Sequence, residues 1–536
     1  MIKLGRKAMI LISSILALFF LVLYLVLKKT EQLILDSFED KIIAVNQKEP
    51  YQISYKDIEI SFFDRTFYLT DVLVVPDKLS RDNDKAQPHI AANRMVASRF
   101  EIFPLLFRKN LKVGKIELSD LEVVVQNKRN RTSPKSSTTK KDSKLQGIQV
   151  DQIELTDYRL IQLQPNLKDT IGSLTGEAIS LTNLSLQRVS GNLLLDFKDI
   201  SLQAYNQTIV FNQQRDTAKF KELSIHLDKG IARLKDLSLG NMEGQKKISL
   251  QNPYNTPVNA LKVPLINCFG INRDSLILNK NLIIDSVILE KASIKILKNL
   301  NKPWNTDRVQ PLPQQLLRRN KNHFWFKKIA FRNAKFTYKE IVDSKEVVVP
   351  IDSLNMVLNH LGTKQELYQD SLNRLEVEVS GKLFKEVHFS YHLTSPNPII
   401  SNFFQFNGST SSFHFEAFNP VMVPTSNIKF DSGSVHQLNF SGYGNEQQAE
   451  GEFVMTFKDL KTVVLKQNTH KENKTFSWLA NATVRKENPK NGKLKVAQMK
   501  YKRVPYKGFG NYMFKTVESG LINSVYPFGK RKEYTK

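Results

Sequence analysis

The sequence predicts a mainly β protein: an N-terminal transmembrane helix followed by an elongated, repetitive, curved antiparallel β-sheet groove with a few short helices. Three observations carry that prediction. Residues 8–27 form a run of 20 without a charge, long enough to cross about 30 Å of hydrocarbon as a helix. Most of the remaining chain alternates apolar and polar residues, the mark of strands with one face on apolar material and one on water. Finally, one motif keeps returning.

The motif is clearest at residues 115–125, KIELSDLEVVV, where Ile116, Leu118, Leu121 and Val123 flank the polar pair Ser119-Asp120. It recurs around Thr70-Asp71, Thr156-Asp157, Thr182-Asn183, Lys198-Asp199, Lys235-Asp236, Glu290-Lys291 and Arg332-Asn333, with a partial copy at Lys458-Asp459. Its apolar spacing contains one odd step, so a regular strand would turn its second half inside out. A β-bulge at the pair restores the face and bends the strand, and Asp or Asn suits the backbone angles required. A two-residue hairpin at the pair is the competing reading, but no Asn-Gly-like pair favours it. Bent strands side by side would line an interior with Ile116, Leu118, Ile153, Leu155, Leu181, Leu234, Leu289 and Phe331.

The 78 Lys and Arg residues against 52 Asp and Glu give a net charge of +26. That suits anionic partners such as phospholipid headgroups, or a solvated basic surface. Cys268 is the only cysteine, which excludes an internal disulfide and a cysteine zinc site and points to packing.

In chain order, residues 1–7 are a short cytoplasmic tail and residues 8–27 an uncleaved anchor, with Ile10, Leu16, Phe20 and Leu25 in the hydrocarbon. Lys3, Arg6 and Lys7 precede the span, favouring a cytoplasmic N-terminus and placing the bulk of the chain outside the cytoplasm. Leu33, Ile34, Phe38, Ile42 and Val45 continue at helical spacing. A strand at residues 95–103 stops at Pro104, followed by Leu105-Leu106-Phe107 and Arg108-Lys109. Residues 126–147 carry seven basic residues and one acid with no apolar period, so they read as a basic flexible linker or loop. Strands resume at residue 148 and are broken at 252–264 and 301–322. Pro313–Arg319 reads as a short helix with proline in its first turn. Residues 347–361 read as a strand entering a helical turn, and Gly442-Tyr443-Gly444 as a turn. Phe509–Val525 reads as an amphipathic helix capping a sheet or touching a membrane.

An anchor followed by the strand at residues 100–102, Leu105-Leu106, Arg108-Lys109 and the Val113, Ile116, Leu118 strand resembles the N-terminal module of the AsmA family. The resemblance assigns residues 28–125 to that module. It extends to the steps at residues 451–465 and 479–489, with 148–508 as the repetitive β-groove and 509–536 as the closing helix and tail. It implies an inner-membrane protein, single-pass and largely periplasmic, that binds and transfers phospholipid along an apolar β-groove in outer-membrane biogenesis.

No enzymatic constellation emerges. His388 and His392 share a strand face but stand about 13 Å apart, too far to chelate one metal. There is no phosphate loop or nucleophile elbow. The expectation is therefore no enzyme, no cofactor and no metal, with membrane phospholipid as the ligand class and an outer-membrane or other envelope protein as a second partner class. Nucleic acid would explain the charge but not the anchor. Two alternatives remain open: a factor that assembles outer-membrane proteins by pairing with their strands, and a structural β-solenoid closed by its own side chains.

Overall fold

The computed structural model describes Asn46 and residues 51–526, apart from 62–64, 77–87, 102–109, 127–146, 165–168, 190–191, 197–199, 212–215, 344, 371, 467–471, 473–476 and 478–483. The anchor with Ile10, Leu16, Phe20 and Leu25, the Leu105-Leu106 and Arg108-Lys109 steps, the basic segment and Asp199 lie outside the described residues. No helix among the described residues is long and apolar enough to cross a membrane. The chain divides into two units, Met1–Leu239 and Gly240–Lys536.

In the first unit β1 (Tyr51–Ser54) and β2 (Asp57–Ser61) both pair with β3 (Thr66–Pro76). Next come β4 (Pro88–Ser98), then β5 (Asn110–Ser119) and β6 (Glu122–Gln126), which are two halves of one strand. Beyond them lie β7 (Gly147–Leu163) and β8 (Thr170–Val189); β9 (Asn192–Asp196) and β10 (Ser201–Phe211) share the far edge of β8. The unit ends with β11 (Asp216–His226) and β12 (Ile231–Leu239). All neighbours are antiparallel except β5 and β6, which run parallel to β7. The expectation of a purely antiparallel sheet is thus corrected. Residue alternation fixes which face is buried but not which way the neighbour runs.

The polar pairs bend their strands as the spacing predicts. Asp71, Asp120, Asp157, Asn183, Asp236, Lys291, Asn333 and Asp459 all have positive φ, between 49° and 60°. The strands continue past them beside the same neighbours, so they are bends within strands, not hairpins. The inner face is kept across the odd step: Leu118 and Leu121 are both buried, while Asp120 between them is exposed.

Of these bends Asp71, Asp120, Asp157 and Asp236 align into a single crease across the first unit, whereas Asn183 bends β8 between Leu181 and Leu184, off that line. The three-residue step falls at Leu69 to Val72, Ala92 to Met95, Leu118 to Leu121 and Leu155 to Tyr158, then at Gly176 to Ile179, Ala204 to Gln207, Phe220 to Leu223 and Leu234 to Leu237. Asp71, Asp120, Asp157, Asn206 and Asp236 take positive φ on this line, whereas Asn93, Glu177 and Lys221 opposite them do not. One partner of each antiparallel pair therefore carries the left-handed residue, and both partners of the parallel pair do. On the outer side Asn93 Nδ2 donates to Asp120 Oδ2 at 3.1 Å, and Asn206 donates to Glu177.

In the second unit α1 (Gln245–Gln251) precedes β13 (Val258–Ile271), so the break expected over 252–264 ends earlier than the sequence suggests. Then come α2 (Arg273–Leu278), β14 (Leu282–Glu290), β15 (Ser293–Asn299), α3 (Pro313–Arg319) and β16 (Phe324–Val342). An antiparallel run continues through β17 (Lys345–Gly362), β18 (Leu375–Leu383), β19 (Val387–Ser395), β20 (Phe404–Thr410) and β21 (Phe413–His414). After α4 (Asn419–Ser426) it is completed by β22 (Ile428–Gly444), β23 (Gln448–Val464), β24 (Val496–Lys502) and α5 (Phe509–Val525). Gly442-Tyr443-Gly444 lies in β22 rather than in a turn. A Cβ on Gly442 or Gly444 would meet the Phe406 or Phe404 ring at 2.8 or 2.6 Å, so these glycines make room for aromatic packing.

β14, β15 and β16 repeat the arrangement of β5, β6 and β7. In each, a split strand pairs antiparallel with the strand before it and parallel with the strand after it. The hydrogen bonds repeat as well. Asp120 N donates to Thr156 O at 3.0 Å and Arg159 N to Leu121 O at 2.7 Å; Lys291 N donates to Arg332 O at 2.9 Å and Lys335 N to Ala292 O at 2.7 Å.

Candidate functional site

The strand registers gather the inward residues into transverse rows. In the first unit Ala97, Ile116, Ile153, Leu181, Leu202, Ile225 and Ala232 are successive cross-strand partners. The next row joins Leu69, Met95, Leu118, Leu155, Ile179, Ala204, Leu223 and Leu234. Six of the residues singled out from the sequence thus fall in two adjacent rows. The other two, Leu289 and Phe331, are direct partners in a row of the second unit that runs from Ile266 through Met356, Val379 and Tyr391. The spacing rule also covers Leu202, Leu223 and Ile225, which join the rows only once the register is known.

Exposure is graded along each row. Ile116, Leu118, Ile153 and Leu155 are buried, Leu118 and Leu155 within a core that also holds Val74, Ile90 and Leu160. Leu181, Leu202, Leu223, Ile225 and Leu234 are only half-buried, an aliphatic surface left partly open on β8 and β10–β12. Interrupting it at the crease is one buried polar pair. Gln207 is 2% exposed and accepts from the Tyr158 hydroxyl, while its own Nε2 donates to Tyr205 O at 2.7 Å. Burial pushes the Tyr158 hydroxyl far above its ordinary pKa, with the Gln207 bond acting the other way. Gly176 faces this pair because a Cβ there would lie 2.2 Å from Gln207 Nε2.

The outer face is polar and carries cross-strand ion pairs, Lys115 with Glu154 (2.7 Å), Lys235 with Glu222 (2.6 Å) and Lys327 with Asp285 (2.5 Å), and one pair along β5, Lys115 with Glu117. Their partial exposure makes them modest contributors to stability. The division into an apolar inner and a charged outer face holds through much of both units; on β13 and β15 the outer residues Val258, Ala260 and Leu297 are instead buried.

The inner rows close at the C-terminal strands. Phe404, Phe406, Phe453, Met455, Phe457 and Met499 are at most 2% exposed, and α5 lies over them with Tyr512 and Met513. The ring of Phe404 meets those of Phe509 and Tyr512 edge-on at 5.4 and 6.2 Å, the favoured aromatic geometry. Gly520 lets the helix approach: a Cβ there would stand 2.5–2.6 Å from Met499 and Phe453. α5 thus has the extent the sequence predicts and packs on the inner face of the last strands, and α3 also spans the residues predicted for it.

Cys268 is on the inner face, opposite Val287 and two residues from Ile266. Burial pushes its thiol up to about 11. His388 and His392 lie on β19 as expected. His392 can approach Glu376 and Glu378, their ligand atoms all within 4.8 Å, but Glu376 already accepts from Arg374 Nε at 2.6 Å. This is an ordinary mixed-charge outer surface. No protein-family model and no curated protein matches the chain.

Proposed function

We propose that the chain is an AsmA-like envelope protein, held in the inner membrane by residues 8–27 with most of its length in the periplasm. It binds phospholipid acyl chains on its apolar inner face and passes them along that face toward the outer membrane. The observation that supports this reading is the half-open aliphatic surface of Leu181, Leu202, Leu223, Ile225 and Leu234 beside a charged outer face. Each acyl methylene buried there gains about 0.8 kcal/mol, so a few carbons suffice for loading.

Native mass spectrometry of the full-length chain released from detergent, with extraction and identification of bound lipid, tests the proposal. Wild type should carry phospholipid, and Leu181→Asp combined with Leu234→Asp should lower occupancy about tenfold while circular dichroism stays native. Leu155→Asp is the wrong probe, because that side chain is 4% exposed within the core. A folded wild type free of lipid would overturn the carrier reading and favour a self-closed structural sheet.

A further inference from the structure

The inner face changes character at the end of β15. Ile294, Ile296 and Lys298 follow one another on that face, opposite Phe336, Tyr338 and Glu340 of β16. Two aliphatic steps therefore lead to an ammonium group. Lys298 Nζ lies 5.4 Å from the centroid of the Trp304 ring and 5.9 Å from that of Tyr338. Lys507 Nζ, from the segment just before α5, lies 5.0 Å from the same Trp304 ring, and the Tyr506 ring is 6.0 Å from Trp304.

Lys298, Trp304 and Lys507 are all half-buried. Bringing two like charges out of water toward one ring is costly, and cation–π contact offsets only part of that. Among the described residues neither ammonium forms an ion pair, and the Glu340 carboxylate on the neighbouring strand instead accepts from the Tyr338 hydroxyl at 2.5 Å. Burial holds Lys298 below its ordinary pKa, opposed by Glu340 and aided by Lys507. Two further features add unmet polar demand. α5 starts right after Lys507 with no capping side chain and no acid in its first turn, which leaves the positive end of its dipole unanswered. Asn255, whose N–H donates to Pro303 O at 2.8 Å, is 6% exposed with both side-chain amide atoms unpartnered.

We infer that Lys298 and Lys507, arranged about Trp304, form a binding site for a phosphate group at the end of the apolar row. Phosphate offers several acceptor oxygens to the two ammonium groups and supplies the ion-pair partner that Glu340, engaged by the Tyr338 hydroxyl, does not. When the phosphate is esterified in a lipid, Ile294, Ile296 and Phe336 take the first carbons of its acyl chains. That half of the inference rests on the carrier reading; the phosphate half does not.

The test is calorimetric titration of the full-length chain in a nonionic detergent with dihexanoyl phosphatidic acid, dihexanoylglycerol and inorganic phosphate. Phosphatidic acid should bind at least tenfold tighter than the diacylglycerol. Lys298→Met with Lys507→Met should abolish that preference at unchanged melting temperature and unchanged diacylglycerol affinity, and the Arg pair should restore it. Equal affinity of wild type for both lipids would overturn the phosphate site and leave the carrier reading standing. Lysine-dependent binding of inorganic phosphate with no binding of either lipid would establish a free-anion site and remove the carrier reading. Failure of all three probes would remove both.

Discussion

Strands β8 and β10–β12 of the first unit and strands β20–β24 of the second share the same alternation but finish their inner faces differently. The first set uses chiefly Leu, Ile and Ala, with one ring at Phe220 and one amide at Gln207, and its inward residues beyond β7 are mostly half-exposed. The second set uses Phe and Met at 0–2% exposure and lays a helix across them. Alternation therefore decides which side is apolar, whereas side-chain bulk and a covering element decide whether that side is full. Long aromatic rings meet one another across a sheet face, and short aliphatic chains do not.

The largest effect that sharpens this contrast is expected at the filled end. Phe404→Ala or Phe453→Ala should cost about 3–5 kcal/mol in denaturant unfolding, because a close-packed core cannot collapse around the gap. Leu223→Ala, at a half-exposed position, should cost about 1 kcal/mol or less, since little of its surface leaves water. Equal losses would break the distinction. Next is the crease. Asp157→Val should cost about 1–2 kcal/mol, since a β-branched residue strains at a φ of 49°, whereas Asp157→Gly should fall within a few tenths of wild type by urea titration. The smallest effect is a rate. With its thiol at about 11 against an ordinary 9.0, Cys268 has roughly a hundredfold less thiolate at pH 8 than a free cysteine. Iodoacetamide should therefore react slowly, accelerating as pH rises toward 11. An inflection near 9 would mean that this part of the inner face is fully wet.

Much of the local structure was legible in the sequence. The odd step located the bends because a strand can keep its face only by adding a residue, and Asp or Asn most often, though a lysine at 291, is the one that turns left-handed. The partners Asn93, Glu177 and Lys221 sit in the same three-residue step without turning left-handed, because the residue that does is carried by the neighbouring strand. α1 was missed: seven residues, with lysines at 246 and 247, show no helical period. The parallel pairings were invisible because alternation is blind to strand direction. Of the candidate site, the predicted lining residues fell into common rows, but the grade from buried to half-open depends on what covers each row. The Lys298, Trp304 and Lys507 cluster could not be seen, as nothing local links residue 298 to residue 507.

The crease also bears on how such a chain avoids misfolding. Strands built from the same two-residue alternation can slide past one another by two positions and still present apolar residues inward, so many pairings are nearly degenerate. A left-handed aspartate or asparagine removes that degeneracy. A slip by two would set Asp157 against a regular pair and misplace the three-residue step on both strands, exposing one inward residue on each. The row of bends from Asp71 to Asp236 thus works as an alignment mark, checked anew each time another strand is added.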